Sequence, residues 1–364
     1  MFNPSRLTLA RKRRGFTQSA LSIDTGLSPQ ILSAYERAKK TPTEETILRL
    51  SQVLKFPIEF FAAPDMEEPS ADGVSFRGLA SMTARQRDMA LSAGAIAIAL
   101  NQWIERRFRL PETNLPSMRG FDPESAAGAL RAHWGLGEDP CPNMVHLLES
   151  NGVRVFSLPR DSASVHAFSF WFGDRPFVFL TTDTSGEKGR MDAAHEVGHL
   201  VMHRQLPPAG REAEYEAEQF ASAFLMPRAS VLANAPSDHS YQTLVRLKRK
   251  WRIALIALVH RLNRLDLMSE WQYRSLCIEF SQLGYRKMEP NGIDREMSKL
   301  FPKVLSSLRS DGIGRREIAK DLLIQPRDFD GITFGLSVTE GVVAGDKPRG
   351  GSGEGDARPK LRIV

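Results

Sequence analysis

Cysteine is nearly missing from this chain: Cys141 and Cys277 are the only two in 364 residues, far apart and without metal-ligand spacing. That excludes a disulfide framework and a thiolate metal site as organising features. Long apolar runs are missing too. The most apolar stretch, Ala90 to Leu100, is too short and too rich in alanine to cross a bilayer, because a spanning helix needs about 20 apolar residues. The chain opens in a basic helix with no secretory hydrophobic region, so a cytoplasmic protein without a membrane partner is expected. No internal repeat is present. At 41% hydrophobic residues the chain has the material for two or three ordinary cores.

The most informative stretch that is present is His195-Glu196-Val197-Gly198-His199. Two histidines four apart on a helix differ by a rise of about 6 Å and a rotation of about 40°, so both imidazoles reach one ion from the same face. Neutral imidazole suits Zn²⁺, and Glu196 beside the metal can take a proton from water that the ion acidifies. Met191, Ala194, Val197, Leu200 and Val201 make the segment apolar, as a helix buried behind a cleft requires, and Gly198 lets another backbone approach closely.

A third ligand is sought in Glu214-Tyr215-Glu216-Ala217-Glu218, at the start of a helix whose Ala217, Phe220, Ala221 and Phe224 recur at helical spacing. The spacing resembles the thermolysin-like arrangement, which implies Glu214 as ligand and Glu218 as the acidic group supporting His195 or His199. Glu216 is the alternative ligand. His203 falls one turn past His199 but lacks the glycine and longer reach that bring a third histidine back to the metal. It reads as a support of the ligands or as a helix-terminal cap.

Residues 1–65 form a separate module with 10 Lys+Arg against 6 Asp+Glu, a net +4 that suits phosphate contact. Thr17 caps a first helix, Gly26 ends it, and Ser28-Pro29 starts a second, which is helix-turn-helix punctuation. Ile31, Leu32 and Tyr35 supply the buried face of the second helix, while Gln30, Ser33, Ala34 and Arg37 face a major groove. Gln18 and Lys39 or Lys40 are expected to hold the DNA backbone. Ser28, as the cap at the groove, joins this set.

Gly15-Phe16-Thr17-Gln18, Thr25-Gly26-Leu27-Ser28 and Ser33-Ala34-Tyr35-Glu36-Arg37 resemble the Xre/Cro family of helix-turn-helix repressors. Ala194-His195-Glu196-Val197-Gly198-His199-Leu200 and the segment from Glu214 to Pro227 resemble the ImmA/IrrE family of metallo-endopeptidases. Two residues depart from these patterns. Ala38 stands where the repressors usually have Gly, and Glu218 where the peptidases more often have Asn or Asp. The resemblance implies a Zn²⁺ cofactor, double-stranded DNA as a partner, a homodimer to bind it, and a protein substrate such as a transcriptional repressor.

The fold expected is mainly α with a small β-sheet. It comprises a helix-turn-helix bundle (1–65), a linker and long helical region (66–122), a central zincin-like α+β peptidase domain (123–240), a C-terminal helical domain (241–338) and a disordered tail (339–364). A strand at 153–158 and a hairpin around Gly173-Asp174 precede the metal helix, and an edge of that sheet suits an extended peptide. In the C-terminal domain Leu244, Leu247, Trp251, Leu255, Leu258 and Leu262 make a packed stripe, with Arg246, Lys248, Arg249, Lys250 and Arg252 on its solvent side. Two functions fit: a DNA-binding regulator with a zinc endopeptidase domain, or one whose zincin-like domain senses or binds without hydrolysis.

Overall fold

Four short helices open the chain, each started by a side chain that takes up a backbone N–H left over at the helix end. Asn3, Thr17, Ser28 and Thr43 cap α1 (Pro4–Arg13), α2 (Gln18–Thr25), α3 (Pro29–Glu36) and α4 (Glu44–Leu54). Leu7, Leu21, Leu32, Leu50, Leu54 and Phe60 are wholly buried between them. Ala38 takes the left-handed conformation, φ 57°, that the repressor pattern usually gives to glycine. That costs an alanine roughly 1–2 kcal/mol. The ending holds because Lys39 N–H closes onto Ala34 O at 2.8 Å.

Three of the four cations in the basic run 11–14, which contributes to the net charge of this module, face the rest of the protein. Arg11 pairs with Glu36, Lys12 with Asp88 at 3.4 Å, and Arg13 and Arg14 with the buried Asp328 at 3.5 and 2.5 Å. Arg11 is thus held within the module, and the other three cations join it to Asp88 and Asp328.

The computed structural model describes residues 1–70, 73–76, 82–159, 165–204, 210–285, 289–335 and 361. After β1 (Val74–Phe76), α5 (Ala84–Glu105) begins with a capping box between Thr83 and Gln86. This helix, buried over most of Met89 to Ile104 and packed against α1, is a core pillar in the region expected as linker and long helix. Then come α6 (Pro123–His133), α7 (Met144–Ser150), β2 (Arg154–Leu158), β3 (Ala167–Phe172), β4 (Arg175–Thr181), α8 (Gly186–Met202) and α9 (Arg211–Leu225).

The sheet runs in the order β1-β3-β4-β2, with β2 parallel to β4 and the other neighbours antiparallel. Alternation sorts its faces. Phe168 and Phe170 stack on Phe179 and Phe177 on one side, with centroids 4.3 and 5.1 Å apart. Ser169 and Trp171 turn to the other and meet α8.

The remaining helices are α10 (Arg228–Ala233), α11 (Tyr241–Trp251), α12 (Leu255–Arg264), α13 (Glu270–Gln282), α14 (Leu300–Leu308), α15 (Arg315–Asp321) and α16 (Pro326–Ile332). One reading of the sequence is corrected here. Lys248, expected on the solvent side of α11, is fully buried between Glu187 and Glu289 at 2.9 and 2.8 Å. It shares the stripe of Leu244, Leu247 and Trp251 because positions three and four apart lie on one helix face. The α15–α16 pair packs inward: Ser157 Oγ bonds Gly331 O at 2.8 Å and Asp328 holds Arg14. The expected disordered tail lies outside the described residues except Leu361, which is buried and donates its N–H to Arg109 O at 3.0 Å.

Glu149 ties α7 to the start of α14 through Ser298 Oγ, Lys299 N–H and Leu300 N–H. Burial pushes its carboxyl up from 4.5 to about 7, against those hydrogen bonds, which pull it down. Between these two values the folded chain keeps a proton that the unfolded chain releases, so stability is full below pH 4.5 and falls until pH 7. Glu149→Gln is expected to remove that slope, on the order of 3 kcal/mol between pH 4.5 and 7. Urea unfolding across the range measures it; parallel curves for the two chains would refute it.

Candidate metal centre and nucleic-acid interface

Gly198 brings the two site helices together. A Cβ there would stand 3.1 Å from Phe220 Cδ1 and 3.2 Å from Ala217 Cα, so only glycine lets α9 lie this close to α8 without a shift. The approach sets Glu214 opposite the histidines. His195 Nε2 and His199 Nε2 are 3.1 Å apart, and the Glu214 carboxylate lies 3.5 Å from the first and 3.3 Å from the second. Burial would raise the Glu214 carboxyl, but its hydrogen bonds with His195 and His199 outweigh that and hold it well below the usual carboxylate range.

This donor set fits a divalent ion. Three ligands at about 2.0–2.2 Å from a tetrahedral zinc stand roughly 3.3–3.6 Å from one another, close to the separations seen here. Two neutral imidazoles with their Nε2 atoms face to face repel through their lone pairs unless a proton or a cation stands between. Two imidazoles and one carboxylate are also the ligand types that zinc prefers in open, catalytic sites.

Glu196 is fully buried beside this cluster, and Ser169 Oγ donates to its Oε2 at 2.6 Å. Ser169 was not among the residues singled out from the sequence. The signal available was the alternation in Ala167-Phe168-Ser169-Phe170, which sends a lone hydroxyl to the face opposite the phenylalanines.

The support of the histidines differs from the sequence reading. Glu218, expected beneath His195 or His199, is exposed, because the buried face of α9 is formed by Ala217, Phe220, Ala221 and Phe224 and Glu218 flanks it on the solvent side. Glu216 makes the contact instead, 2.8 Å from His203 Nε2, while His203 Nδ1 lies 3.0 Å from His199 Nδ1. One pair of neutral tautomers satisfies the chain: Glu216 accepts from His203 Nε2–H, and His203 Nδ1 accepts from His199 Nδ1–H. In that tautomer His199 Nε2 has its lone pair available for a metal ion, which would take the place of the proton it otherwise shares with Glu214.

In the N-terminal module Ser28, Gln30, Arg37, Lys39 and Lys40 are exposed on and beside α3, with Ser33 and Ala34 half-buried between them. Ser28 Oγ is engaged as the cap of Ile31 N–H at 3.3 Å. Gln18, expected on a phosphate, donates to Glu36 at 2.7 Å, and Arg11 holds the same carboxylate. This brace fixes α2 against α3 and so sets the angle of the recognition helix.

A family model described as the IrrE N-terminal-like domain matches residues 148–263. A helix-turn-helix model matches residues 7–61. The first match begins at α7 and runs through α12, past the boundary expected at 240. Comparison with curated proteins finds no match. Among the described residues no helix is long and apolar enough to cross a membrane.

Proposed function

From a chain that carries an Xre-like helix-turn-helix domain and an IrrE/ImmA-like peptidase-family domain, we propose a cytoplasmic DNA-binding regulator whose central domain is a zinc-dependent endopeptidase. The observation that carries this reading is the convergence of His195, His199 and Glu214 within 4.8 Å of one another, with Glu196 buried alongside. By the resemblance, the substrate is a regulatory protein such as a repressor. DNA is held as paired half-sites by a homodimer, the usual geometry of such modules.

His195, His199 and Glu214 would hold the metal. A bound zinc ion would supply Lewis-acid polarisation of the scissile carbonyl and a water of lowered pKa. Glu196 removes a proton from that water and delivers it to the leaving amine nitrogen. Ser169 fixes the carboxylate by occupying Oε2, and Glu216 acts through His203 to orient His199. The discriminating experiment is Glu196→Gln tested on a protein substrate.

A second reading, a zincin-like domain that senses or binds without hydrolysis, is favoured by one observation. The cavity lined by His199, His203, Ser169 and Ser75 has a volume of only about 20 Å³.

In the DNA-binding half, Gln30 reads base edges and Lys39 contacts phosphate. Gln30→Ala is expected to change sequence preference, at about 1–3 kcal/mol for its base pair, and Lys39→Ala to weaken all sites alike with a shallower salt dependence. Titrations of specific and scrambled duplexes at two salt concentrations check both. Uniform loss from Gln30→Ala would remove it from the groove.

A further inference from the structure

The edge of β3 nearest the metal centre is occupied by the chain itself. One side of β3 pairs with β4, and the other pairs antiparallel with β1 in the register Val74↔Phe170, Ser75↔Ser169, Phe76↔Phe168. Ser169 is the residue that bonds the Glu196 carboxylate. Gly73 and Ser75 therefore line the small cavity at His199 and His203. An extended peptide added to this sheet by main-chain hydrogen bonds, the usual way of holding a strand-like ligand, needs the same edge.

We propose that β1 is an internal pseudosubstrate strand: residues 73–76 hold the substrate position, and the peptidase opens only when an incoming peptide exchanges with them. The proposal rests on the peptidase reading above and adds how that site is regulated. Several features suit a strand built to leave. It is three residues long, and Ser75 Oγ is buried without a hydrogen-bond partner among the described residues, so the strand carries one unsatisfied polar atom. Its anchor is short-range. The buried Pro69 packs so tightly on α5 that a Cβ at Gly94 would stand 2.8 Å from Pro69 Cγ, and Gly73 N–H bonds Ser70 O at 3.0 Å.

The occupant defines the ligand that replaces it. Val74 and Ser75 are buried at 4% and 3% exposure, so the exchanging peptide is an extended segment with a small residue opposite Ser169 and an apolar neighbour before it.

The experiment uses the full chain with zinc present and a fluorescently labelled synthetic peptide of residues 69–79. Val74→Asp puts a charge where β1 is buried, and Glu196→Gln prevents turnover during binding. The peptide is expected to bind the V74D/E196Q chain at least tenfold more tightly than the E196Q chain. With Glu196 intact, V74D is expected to cleave unstructured casein at least tenfold faster than wild type. Equal peptide affinity for both chains, or no binding to either, overturns the proposal. If circular dichroism shows V74D unfolded, Ser75→Pro replaces it under the same criteria. Tighter peptide binding without hydrolysis by either Glu196 chain keeps the blocking strand and overturns the peptidase reading. Hydrolysis by wild type with no gain in V74D does the reverse.

Discussion

Glu196→Gln is expected to lower peptide-bond hydrolysis by about 10²–10⁴-fold or more, the usual contribution of a positioned general acid–base group, while zinc content and fold stay as they are. The amide has the shape of the carboxylate, and its carbonyl oxygen still accepts the hydrogen bond that Ser169 Oγ gives to Oε2 at 2.6 Å. What it cannot do is accept a proton from water. Zinc is expected to stay because the proposed donors are His195, His199 and Glu214, not Glu196. Stability is unchanged or higher, since a buried carboxylate becomes neutral. Elemental analysis, thermal unfolding and cleavage of a protein substrate, run on the same preparations, separate these effects. Undiminished cleavage would end the assignment of Glu196, and loss of zinc would make it a ligand. A chain that never cleaves, and whose control of transcription ignores the substitution, would favour the sensing module.

Lys248→Met is expected to cost about 3–5 kcal/mol of folding stability, the range for removing one partner from a buried ionic network. Lys248 lies against Glu187, Glu289 and the Pro290 carbonyl, and all three side chains are nearly inaccessible. Without the ammonium, two carboxylates face each other with no cation. Both are also structural acceptors: Glu187 takes Ile293 N–H at 3.1 Å, and Glu289 takes the first N–H of α12, Leu255, at 2.9 Å. The loss should therefore reach the N-terminal half of the metal helix as well as α12. Adding Glu187→Gln and Glu289→Gln to Lys248→Met is expected to recover most of it by removing the stranded charge. Urea denaturation of the single and triple variants reads both numbers. A Lys248→Met chain as stable as wild type would show that the network contributes nothing.

Much of this protein was legible one turn at a time. The caps at Thr17 and Ser28 with the stop at Gly26 locate α2 and α3, and the hairpin at Gly173-Asp174 locates β3 and β4, because each signal acts within a few residues of itself. The four-residue spacing of His195 and His199 puts both imidazoles on one side of α8 before any partner is known. A carboxylate from the next helix was equally within reach of sequence reasoning, and the resemblance singled out Glu214 with Glu216 as the alternative.

The choice among Glu214, Glu216 and Glu218 depends on how α9 is rotated against α8, which the contact of Gly198 with Ala217 and Phe220 decides. Lys248 shows the same limit, since a lysine on an apolar stripe reads as solvent-facing until two glutamates from distant segments are seen to meet it. The net charge of the module counts Arg13 and Arg14 toward phosphate contact until Asp328 is seen to hold them inward. The strand 74–76 gives no local sign of its destination on β3.

The amino-acid sequence by itself therefore determined the caps, the helix faces and the pair of imidazoles, all consequences of dihedral preference and short-range spacing. Only the tertiary structure decided which carboxylate meets the two imidazoles, which charges are buried and which strand pairs with the free edge of β3. Those depend on the relative rotation of packed elements and on pairing between segments far apart in the chain.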